Sequence, residues 1–528
     1  MFGIKKCFIF IVLIVFSVVS YSQQVKKPRI VVCVVLENFS VDYLSKYSDD
    51  FGDKGFNRLI GEGICYKNAY YPYMYSQTGV DHASINTGVM PSDHGIVAHE
   101  WYDRLLRKTF KGVSSDVYSS KQEDRYRNYS PKKLLANTLG DELKKNSSCS
   151  RVFSVSMNAE SSIFSAGHMA DAAYWFNHEK GEWCTSSYYI DLLNNWTKEY
   201  NKHLSLDYYV NRGWHSVSAD YSDYKNVSGV SNNFFCDLHK DKERAGNYKV
   251  LKASPYANVL VSEFVRNLII NENLGKDNDV DLLNISYSFL DYKCNKYKSN
   301  SEEKLDVLYR LDKELGDLLE FLDEQVGKGN YLVSMTVSQP MMPLPDELNK
   351  QKLPGGYFSS FKAVSLLKSY LNIKYGQADW ISSYDSQQIY LNRELIDSKK
   401  LDLKEIQDQV VDFLIQFSGV HKAVPSYLLS SGQFVEGTGL FMCRSYSQKR
   451  SGDVMYMLNS GWINTLSNRE DYFANYSSER TVPLVFYGLD ITPKKVYDKV
   501  SILDIMPSLS LKMGIPIRNN DIGNILKF

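Results

Sequence analysis

The sequence predicts an α/β fold with a mostly parallel central sheet that is covered by helices on both faces. Residues 29–36 form an apolar, β-branched run, as expected of a strand buried on both sides. Leucines recur at helical spacing from Leu308 to Leu322, and Gly327 follows them. Such strands and helices alternate along the chain, which is typical of parallel strands joined by helical crossovers.

The start of one predicted helix carries a clear local signal. Ser254 is a candidate N-cap, and Pro255 occupies the first turn of the helix that follows it. The strands are predicted at residues 29–36, 151–157, 280–287, 331–337 and 482–487. The helices are predicted at residues 54–61, 132–145, 254–273, along the leucine row, and at 502–511.

One stretch interrupts this alternation. Residues 175–248 are rich in Tyr, Trp and Asn and show weak periodicity. We therefore predict a capping insertion that packs over the carboxyl edge of the sheet. Internal repeats and low-complexity tracts are absent from the sequence, so residues 23–528 are predicted to form one large domain that includes this insertion.

The first 22 residues have the pattern of a signal peptide. Lys5 and Lys6 precede an apolar run over residues 7–19, and small residues stand at −3 and −1 of a cut after Ser22. The apolar run is too short to span a membrane. The sequence thus predicts an exported mature chain without a membrane span, with the periplasm as the first expectation and secretion as the alternative.

The charge balance bears on the kind of partner that the protein binds, and the cysteine content bears on its disulfides. The chain of 528 residues carries 61 Lys and Arg against 61 Asp and Glu. A nucleic-acid-binding protein usually has a basic excess, so we expect no nucleic-acid partner. Seven cysteines remain after residue 22, without a CxxC pair. We expect at most one or two disulfides among them.

Polar residues follow the predicted strands directly. They are Glu37, the segment 158–160, Asp291 and the segment 338–339. Because parallel strands end at one edge of the sheet, where ligands of open α/β sheets bind, these positions are expected to surround one site.

Seven segments carry a resemblance to a known family. They are VDYLSKY (41–47), GFNRLIGEG (55–63), HASINTGVMPSDHGI (82–96), SPYAN (254–258), KLPGGYF (352–358), RSGDV (450–454) and TVPLVFYG (481–488). In this order they resemble the alkaline phosphatase superfamily, and most of all its periplasmic, phosphate-irrepressible branch. The resemblance implies an alkaline-phosphatase-like α/β fold and a site with two Zn²⁺ ions, at which a Thr or Ser hydroxyl attacks phosphorus.

Carried over residue by residue, the resemblance makes Thr78 the nucleophile position, four residues before His82. It also implies that most zinc ligands have been replaced. Acidic residues remain at two of the ligand positions, Glu37 and Asp291. The other ligand positions hold Asn295, Ser338 and Gln339, and the last one falls at about Tyr472. The substrate-clamp positions hold His99, Asn158 and Glu160.

The distribution of histidine supports this interpretation. The nine histidines include none between His239 and His421 and none after His421. Neutral Ser, Asn and Gln are poor substitutes for imidazole and carboxylate around zinc. Our first hypothesis is therefore a pseudoenzyme, without a bound cofactor, whose cleft binds a protein or a small-molecule ligand that the sequence does not identify.

The alternative is a hydrolase of phosphate or sulfate esters. Thr78 would remain the nucleophile, and Glu37 and Asp291 would help to hold one divalent cation (Zn²⁺, Mg²⁺ or Ca²⁺) at reduced affinity. A Thr at a helix start is also a common N-cap, which is the simpler interpretation of Thr78. His82 and His94 match scaffold positions of the family, whereas His99 is expected to face the cleft.

Overall fold

The structure is a computed structural model that describes residues 26–114, 126–224, 227–291, 297–466, 469–471, 480–516 and 523–528. The predicted signal peptide at 1–22 lies outside these ranges, as do Asn295 and Tyr472. Within them, every helix is too short or too polar to cross a membrane. Five cysteines in these ranges are free thiols: Cys33, Cys65, Cys149, Cys184 and Cys443.

The described residues contain twenty strands, numbered in chain order. They are β1 (Ile30–Glu37), β2 (Ile64–Tyr70), β3 (Glu100–Asp103), β4 (Lys108–Lys111), β5 (Val152–Ser156), β6 (Ala172–Asn177), β7 (Glu182–Cys184), β8 (Trp214–His215), β9 (Phe235–Cys236), β10 (Asp281–Ser288), β11 (Tyr331–Ser338), β12 (Gly356–Ser359), β13 (Ile381–Asp385), β14 (Gln388–Leu391), β15 (Val420–Pro425), β16 (Val454–Leu458), β17 (Trp462–Leu466), β18 (Arg469–Asp471), β19 (Thr481–Gly488) and β20 (Lys494–Ser501).

The helices are numbered in the same way. They are α1 (Tyr43–Lys46), α2 (Phe56–Glu62), α3 (Thr78–Thr87), α4 (Pro91–His94), α5 (Leu139–Asn146), α6 (Ala159–Ala166), α7 (Asn195–His203), α8 (Leu206–Arg212), α9 (Val217–Asp220), α10 (Leu238–Ala245), α11 (Lys249–Lys252), α12 (Tyr256–Asn271), α13 (Glu302–Gln325), α14 (Pro345–Lys350), α15 (Ser360–Tyr375), α16 (Arg393–Ser398), α17 (Leu403–Leu414), α18 (Ser426–Leu429), α19 (Gly437–Ser445) and α20 (Ile505–Met513).

A nine-stranded sheet organises the molecule, in the order β20-β2-β19-β11-β1-β10-β5-β6-β7. The five strands from β11 to β6 run parallel, whereas β19 and β7 are antiparallel to their neighbours. The predicted α/β class with a mostly parallel sheet is confirmed. The register places Glu37 level with Ser288 on one side and with Ser338 on the other, so three strands end together.

Side chains of β10 show that helices pack on both faces of this sheet. Asn284 donates a hydrogen bond to the carbonyl of Ser165 in α6, 3.1 Å away. Tyr287 points to the opposite face, where its hydroxyl lies 3.0 Å from the hydroxyl of Ser262 in α12. Successive side chains of a strand alternate between the faces, so these contacts assign α6 and α12 to opposite sides.

Two predicted helix starts are wrong. The helix predicted at 132–145 begins only at Leu139, because Thr138 and Asp141 form a capping box in which each side chain accepts the other's backbone N–H. Pro255, not Ser254, is the N-cap of α12. The Ser254 hydroxyl instead donates to the carbonyl of Leu251 at 2.9 Å.

A second, smaller sheet was not predicted. Strands β13, β14, β16 and β15 pair antiparallel in that order. Their core includes Trp380, Leu367 and Val410, each at most 1% exposed. Residues 175–248, the predicted capping insertion, contain β7 to β9 and α7 to α10, which are short elements.

Candidate functional site at the carboxyl edge of the sheet

Three adjacent strands end in unusual backbone conformations. The residues that follow β1, β10 and β11 include Asn38, Asp291 and Gln339, with φ of 56°, 35° and 52°. Positive φ is uncommon outside glycine and concentrates where a fold must direct side chains to a site. This edge of the sheet is therefore the candidate functional site, as predicted from the strand ends.

Glu37 lies at the centre of this edge and is 1% exposed. Its Oε1 accepts hydrogen bonds from the hydroxyls of Ser161 and Ser286, and it lies 3.2 Å from Nε2 of His82. Its Oε2 accepts from the side-chain amide of Asn158 at 3.2 Å. Four side chains of the protein thus surround the carboxylate that was predicted to be a residual metal ligand.

These contacts stabilise the ionised form of Glu37. Burial alone would raise the pKa of Glu37, but the hydrogen bond and the charge of His82, together with the Ser161 and Ser286 hydroxyls, lower it below its usual value. Glu37 is accordingly a buried carboxylate whose negative charge is satisfied from within the fold.

Thr78 is the first residue of α3, and Gln77 is the N-cap. The prediction that Thr78 caps this helix is therefore wrong by one residue. The Thr78 hydroxyl is half-buried and donates to Oε1 of Gln339 at 3.0 Å. The nucleophile position thus contacts the residue that follows β11, one of the replaced ligand positions.

Asp81, one turn into α3, brings a further carboxylate to the same edge. Oδ2 of Asp81 accepts from the hydroxyl of Ser338 at 3.0 Å and from the backbone N–H of Gln339 at 2.8 Å. Its other oxygen accepts from the Tyr73 hydroxyl at 2.8 Å. Burial raises the pKa of Asp81 to about 6, although these hydrogen bonds oppose the rise.

Asn158 and Asp291 are joined through a lysine from outside the predicted set. Nζ of Lys252 donates to Oδ1 of Asn158 and lies 3.3 Å from Oδ2 of Asp291. Lys252 ends α11, two residues before the SPYAN segment. One of the two remaining acidic ligand positions is therefore paired with a cationic side chain of the protein.

His99 and Glu160, at the other clamp positions, form an ion pair. Nδ1 of His99 lies 2.7 Å from Oε1 of Glu160, and the His99 side chain is 35% exposed. The charge of Glu160 raises the pKa of His99. Next to Thr78, Gly79 packs so closely on Glu160 that an added Cβ would lie 3.2 Å from Oε2. The structure thus places His99 and Glu160 beside the start of α3.

The side chains that the structure describes at this edge do not fit a pair of zinc ions. Zinc sites use imidazole, thiolate or carboxylate ligands. Here Glu37 is fully hydrogen-bonded, Asp291 is paired with Lys252, and the end of β11 offers a hydroxyl and an amide. In the described ranges, His, Cys, Asp and Glu form no group of three that could hold a metal ion.

Sequence reasoning missed both Lys252 and Asp81. Asp81 lies three residues after Thr78 and directly before His82, and this closeness in sequence was the available signal. Lys252 carried no such signal, because only the fold brings α11 to the ends of β5 and β10. The described residues bring together Glu37, Thr78, Ser338, Gln339, Asp291, Asn158, Glu160 and His99 through these contacts.

Comparison with known proteins agrees with the fold and the resemblance. A family model described as type I phosphodiesterase / nucleotide pyrophosphatase matches residues 31–482. Alkaline phosphatase PhoV of Synechococcus elongatus is 29% identical over 521 positions, covering 96% of this chain and 94% of PhoV. A Myroides odoratus protein named calcium-transporting ATPase is 29% identical over 519 positions, covering 95% of this chain and 94% of that protein.

Alkaline phosphatase PafA of Elizabethkingia meningoseptica is 28% identical over 529 positions, which cover 95% of this chain and 94% of PafA. The crystal structure of wild-type PafA superposes with a TM-score of 0.86 at 26% identity, over 96% of this chain and 99% of PafA. The predicted superfamily is confirmed. The chain belongs to the type I phosphodiesterase / nucleotide pyrophosphatase family, within the alkaline phosphatase superfamily.

Proposed function

We propose that this protein uses the cleft of its family for binding and does not turn over phosphate esters. One observation carries the proposal: both remaining carboxylates at the metal-ligand positions are engaged by groups of the protein itself. His82 and two serine hydroxyls surround Glu37, and Lys252 pairs with Asp291. A zinc ion would have to displace these contacts and would find no imidazole at the ends of β10 and β11.

The clamp positions support the same proposal. A phosphate dianion is normally held by cationic or amide donors, of which Arg forms the strongest bidentate pairs. Here the carboxylate of Glu160 stands beside Gly79 and is paired with His99. A dianion at this position would meet a negative charge, so the ligand is proposed to be a small molecule or protein segment that tolerates the His99–Glu160 pair.

Export remains part of the proposal. The signal-peptide pattern at residues 1–22 supports delivery to the periplasm, or secretion, after a cut following Ser22. The equal numbers of acidic and basic residues favour a partner other than nucleic acid.

A phosphate or sulfate ester hydrolase is the second candidate, and the comparisons favour it. Relatives over almost the whole chain are named alkaline phosphatases. Thr78 is retained at the start of α3 with its hydroxyl half-buried. In this candidate the Thr78 hydroxyl would lose its proton and attack phosphorus or sulfur, and the alcohol of the ester would leave. Glu37, Gln339 and Asp291 would supply oxygen ligands for one divalent cation, which would neutralise charge on the substrate.

Turnover measurements separate the two candidates. The mature chain and its Thr78→Ala variant are assayed with aryl phosphate, bis-aryl phosphate and aryl sulfate, each with added Zn²⁺, Mg²⁺ or Ca²⁺. The proposal predicts equal, background rates for both proteins, because contaminating hydrolases are shared between the two preparations. Metal-dependent turnover in the wild type that Thr78→Ala abolishes would overturn the proposal and establish the second candidate.

A further inference from the structure

The space between Asn158 and Asp291, here named the cation position, is filled by the side chain of Lys252. The Lys252 side chain is 12% exposed and that of Asp291 is 20% exposed. Nζ contacts Oδ2 of Asp291 at 3.3 Å and donates a hydrogen bond to Oδ1 of Asn158. The lysine thus contributes a positive charge at the carboxyl ends of β5 and β10.

The orientation of the Asn158 side chain connects this lysine to Glu37. An ammonium group only donates hydrogen bonds and a carboxylate only accepts them, so Oδ1 of Asn158 must face Lys252 and Nδ2 must face Glu37. Both contacts occur, the second at 3.2 Å. Glu37, Asn158, Lys252 and Asp291 therefore form one continuous chain in which every partner is used with the correct polarity.

The backbone fixes Lys252 in this place. Val250 and Leu251, just before it in α11, are at most 1% exposed, and Ser254 donates to the carbonyl of Leu251. Further along, the side-chain oxygen of Asn258 accepts the backbone N–H of Ser288 at 3.0 Å, which ties the start of α12 to the end of β10. The residues before and after Lys252 in the sequence thus hold it against the edge of the sheet.

We propose that the Lys252 ammonium is the resident cation of this cleft and takes the place of a divalent metal ion between Asn158 and Asp291. Carboxylate and amide oxygens are ordinary ligands of hard divalent cations. A metal ion would have to compete with the ammonium for the same oxygens and would be repelled by its positive charge. Lys252 therefore excludes metal ions from oxygens that would otherwise attract them.

This inference deepens the proposed function and rests on it. The Lys252 ammonium and a metal ion cannot occupy the cation position together. Its test measures metal binding and stability, not turnover. Thr78-dependent hydrolysis without a metal response at the cation position would overturn the proposed function and leave the role of Lys252 intact.

The test compares the wild type with Lys252→Met, which keeps the length of the side chain and removes its charge. Lys249→Met, an exposed lysine one turn earlier in α11, is the matched control. Each protein is stripped with EDTA, and thermal unfolding and calorimetric binding are then measured with Ca²⁺, Mn²⁺ and Zn²⁺. We expect Lys252→Met to melt at a lower temperature without metal and to bind at least one of these ions at least about tenfold more tightly than the wild type.

The double variant Lys252→Met/Asp291→Asn identifies the site. It should regain part of the lost melting temperature, because no uncompensated carboxylate remains, and it should lose the metal response. Equal metal responses of Lys252→Met and Lys249→Met would overturn the inference. If Lys252→Met does not fold, calorimetry compares metal binding by the wild type and by Asp291→Asn. Metal binding by the wild type that Asp291→Asn abolishes would overturn the inference. A wild type that binds no metal ion at Asp291 would support it.

Discussion

At the scale of single residues, the site is defined by how the protein satisfies its buried carboxylates. Glu37 accepts the hydroxyl of Ser161, and Asp81 accepts that of Ser338. Unpaired charges are costly in a protein interior, whereas charges with several donors are tolerated. These hydroxyls therefore stabilise the two buried carboxylates by hydrogen bonding from within the fold.

Ser161→Ala tests the donors of Glu37. A hydrogen bond to a charged group contributes about 1.5–3 kcal/mol, so we expect the free energy of unfolding to fall by that amount in chemical denaturation. Ser162→Ala is the matched control: Ser162 is equally buried in α6 but donates to the carbonyl of Ser154 at 3.1 Å. Its loss should be about 0.5–1.5 kcal/mol, as for a neutral bond. A smaller loss for Ser161→Ala than for Ser162→Ala would contradict the importance of the Glu37 network.

Asp81 predicts a pH dependence of stability. Burial raises its pKa from 3.8 to about 6, so between these values the folded state binds more protons than the unfolded chain. The contribution of Asp81 to stability is complete below pH 3.8 and is lost as pH rises through about 6, by roughly 3 kcal/mol in total.

Asp81→Asn should lack this change, because an amide does not titrate. The diagnostic quantity is the difference in unfolding free energy between wild type and variant across pH 4 to 7. The absolute stability of the variant will also fall, because an amide NH₂ must replace one of the two carboxylate oxygens, and both of them accept hydrogen bonds. A difference that does not vary with pH would show that Asp81 stays ionised over the whole range.

Much of the site at this scale could be predicted from the sequence. Glu37, Asp291 and Gln339 were found because buried strands are recognisable, and their ends share one edge. Lys252 could not be found in this way, because its contact with Asp291 depends on how α11 packs. Asn295 and Tyr472 lie outside the described residues, so their predicted positions stay predictions.

At the scale of elements, α3 and α6 bring the nucleophile position and the clamp positions together. A Cβ added at Gly79 in α3 would lie 3.1 Å from a ring carbon of Phe164 and 3.2 Å from Oε2 of Glu160, both in α6. Phe164 is fully buried and has little room to move. Gly79 is therefore the point of close approach that sets the spacing of the two helices.

Gly79→Ala tests this contact. We expect it to be about 1–3 kcal/mol less stable than Gly61→Ala, because the added methyl group overpacks the interface. Gly61 in α2 has no atom within 4 Å of an added Cβ, so Gly61→Ala should be stabilising by about 0.5–1 kcal/mol. Denaturant unfolding gives both values. Equal stabilisation by the two substitutions would show that α6 can move away from α3.

The predicted elements differ from the observed ones mainly where capping decides. Residues 132–137 have the amphipathic pattern of α5 but precede it, because Thr138 caps the helix together with Asp141. The sequence contains the T-x-x-D pattern of this capping box. The amphipathic pattern continues upstream of it, however, and predicts an earlier start of the helix. Periodicity predicts that a helix exists, whereas its ends depend on which side chains reach the free backbone groups.

At the scale of the whole molecule, the large sheet could be predicted and the small sheet could not. Strands β1, β10 and β11 are eight-residue, fully buried strands that alternate with helices along the chain, which is a strong signal. In the small sheet, Val454 pairs with both Ile389 and Pro425. Pairings between short strands so far apart in sequence leave little local pattern. For the same reason, the sequence did not predict that β19 runs antiparallel to its neighbours.

The fold of the whole molecule reflects its ancestry, whereas its chemistry depends on the side chains of the site. A TM-score of 0.86 to PafA shows that the scaffold is kept, whereas the side chains at its carboxyl edge are His-poor and paired among themselves. Fold similarity does not by itself determine chemistry, which depends on the groups of the site. The central claim is therefore that this scaffold does not hold a pair of zinc ions.

Anomalous X-ray diffraction at the zinc edge, from crystals of the mature chain grown with excess Zn²⁺, tests this claim most directly. The account predicts no pair of zinc peaks at the carboxyl edge of the large sheet, and electron density for the Lys252 side chain between Asn158 and Asp291. Two fully occupied zinc ions about 4 Å apart beside Thr78 would contradict it.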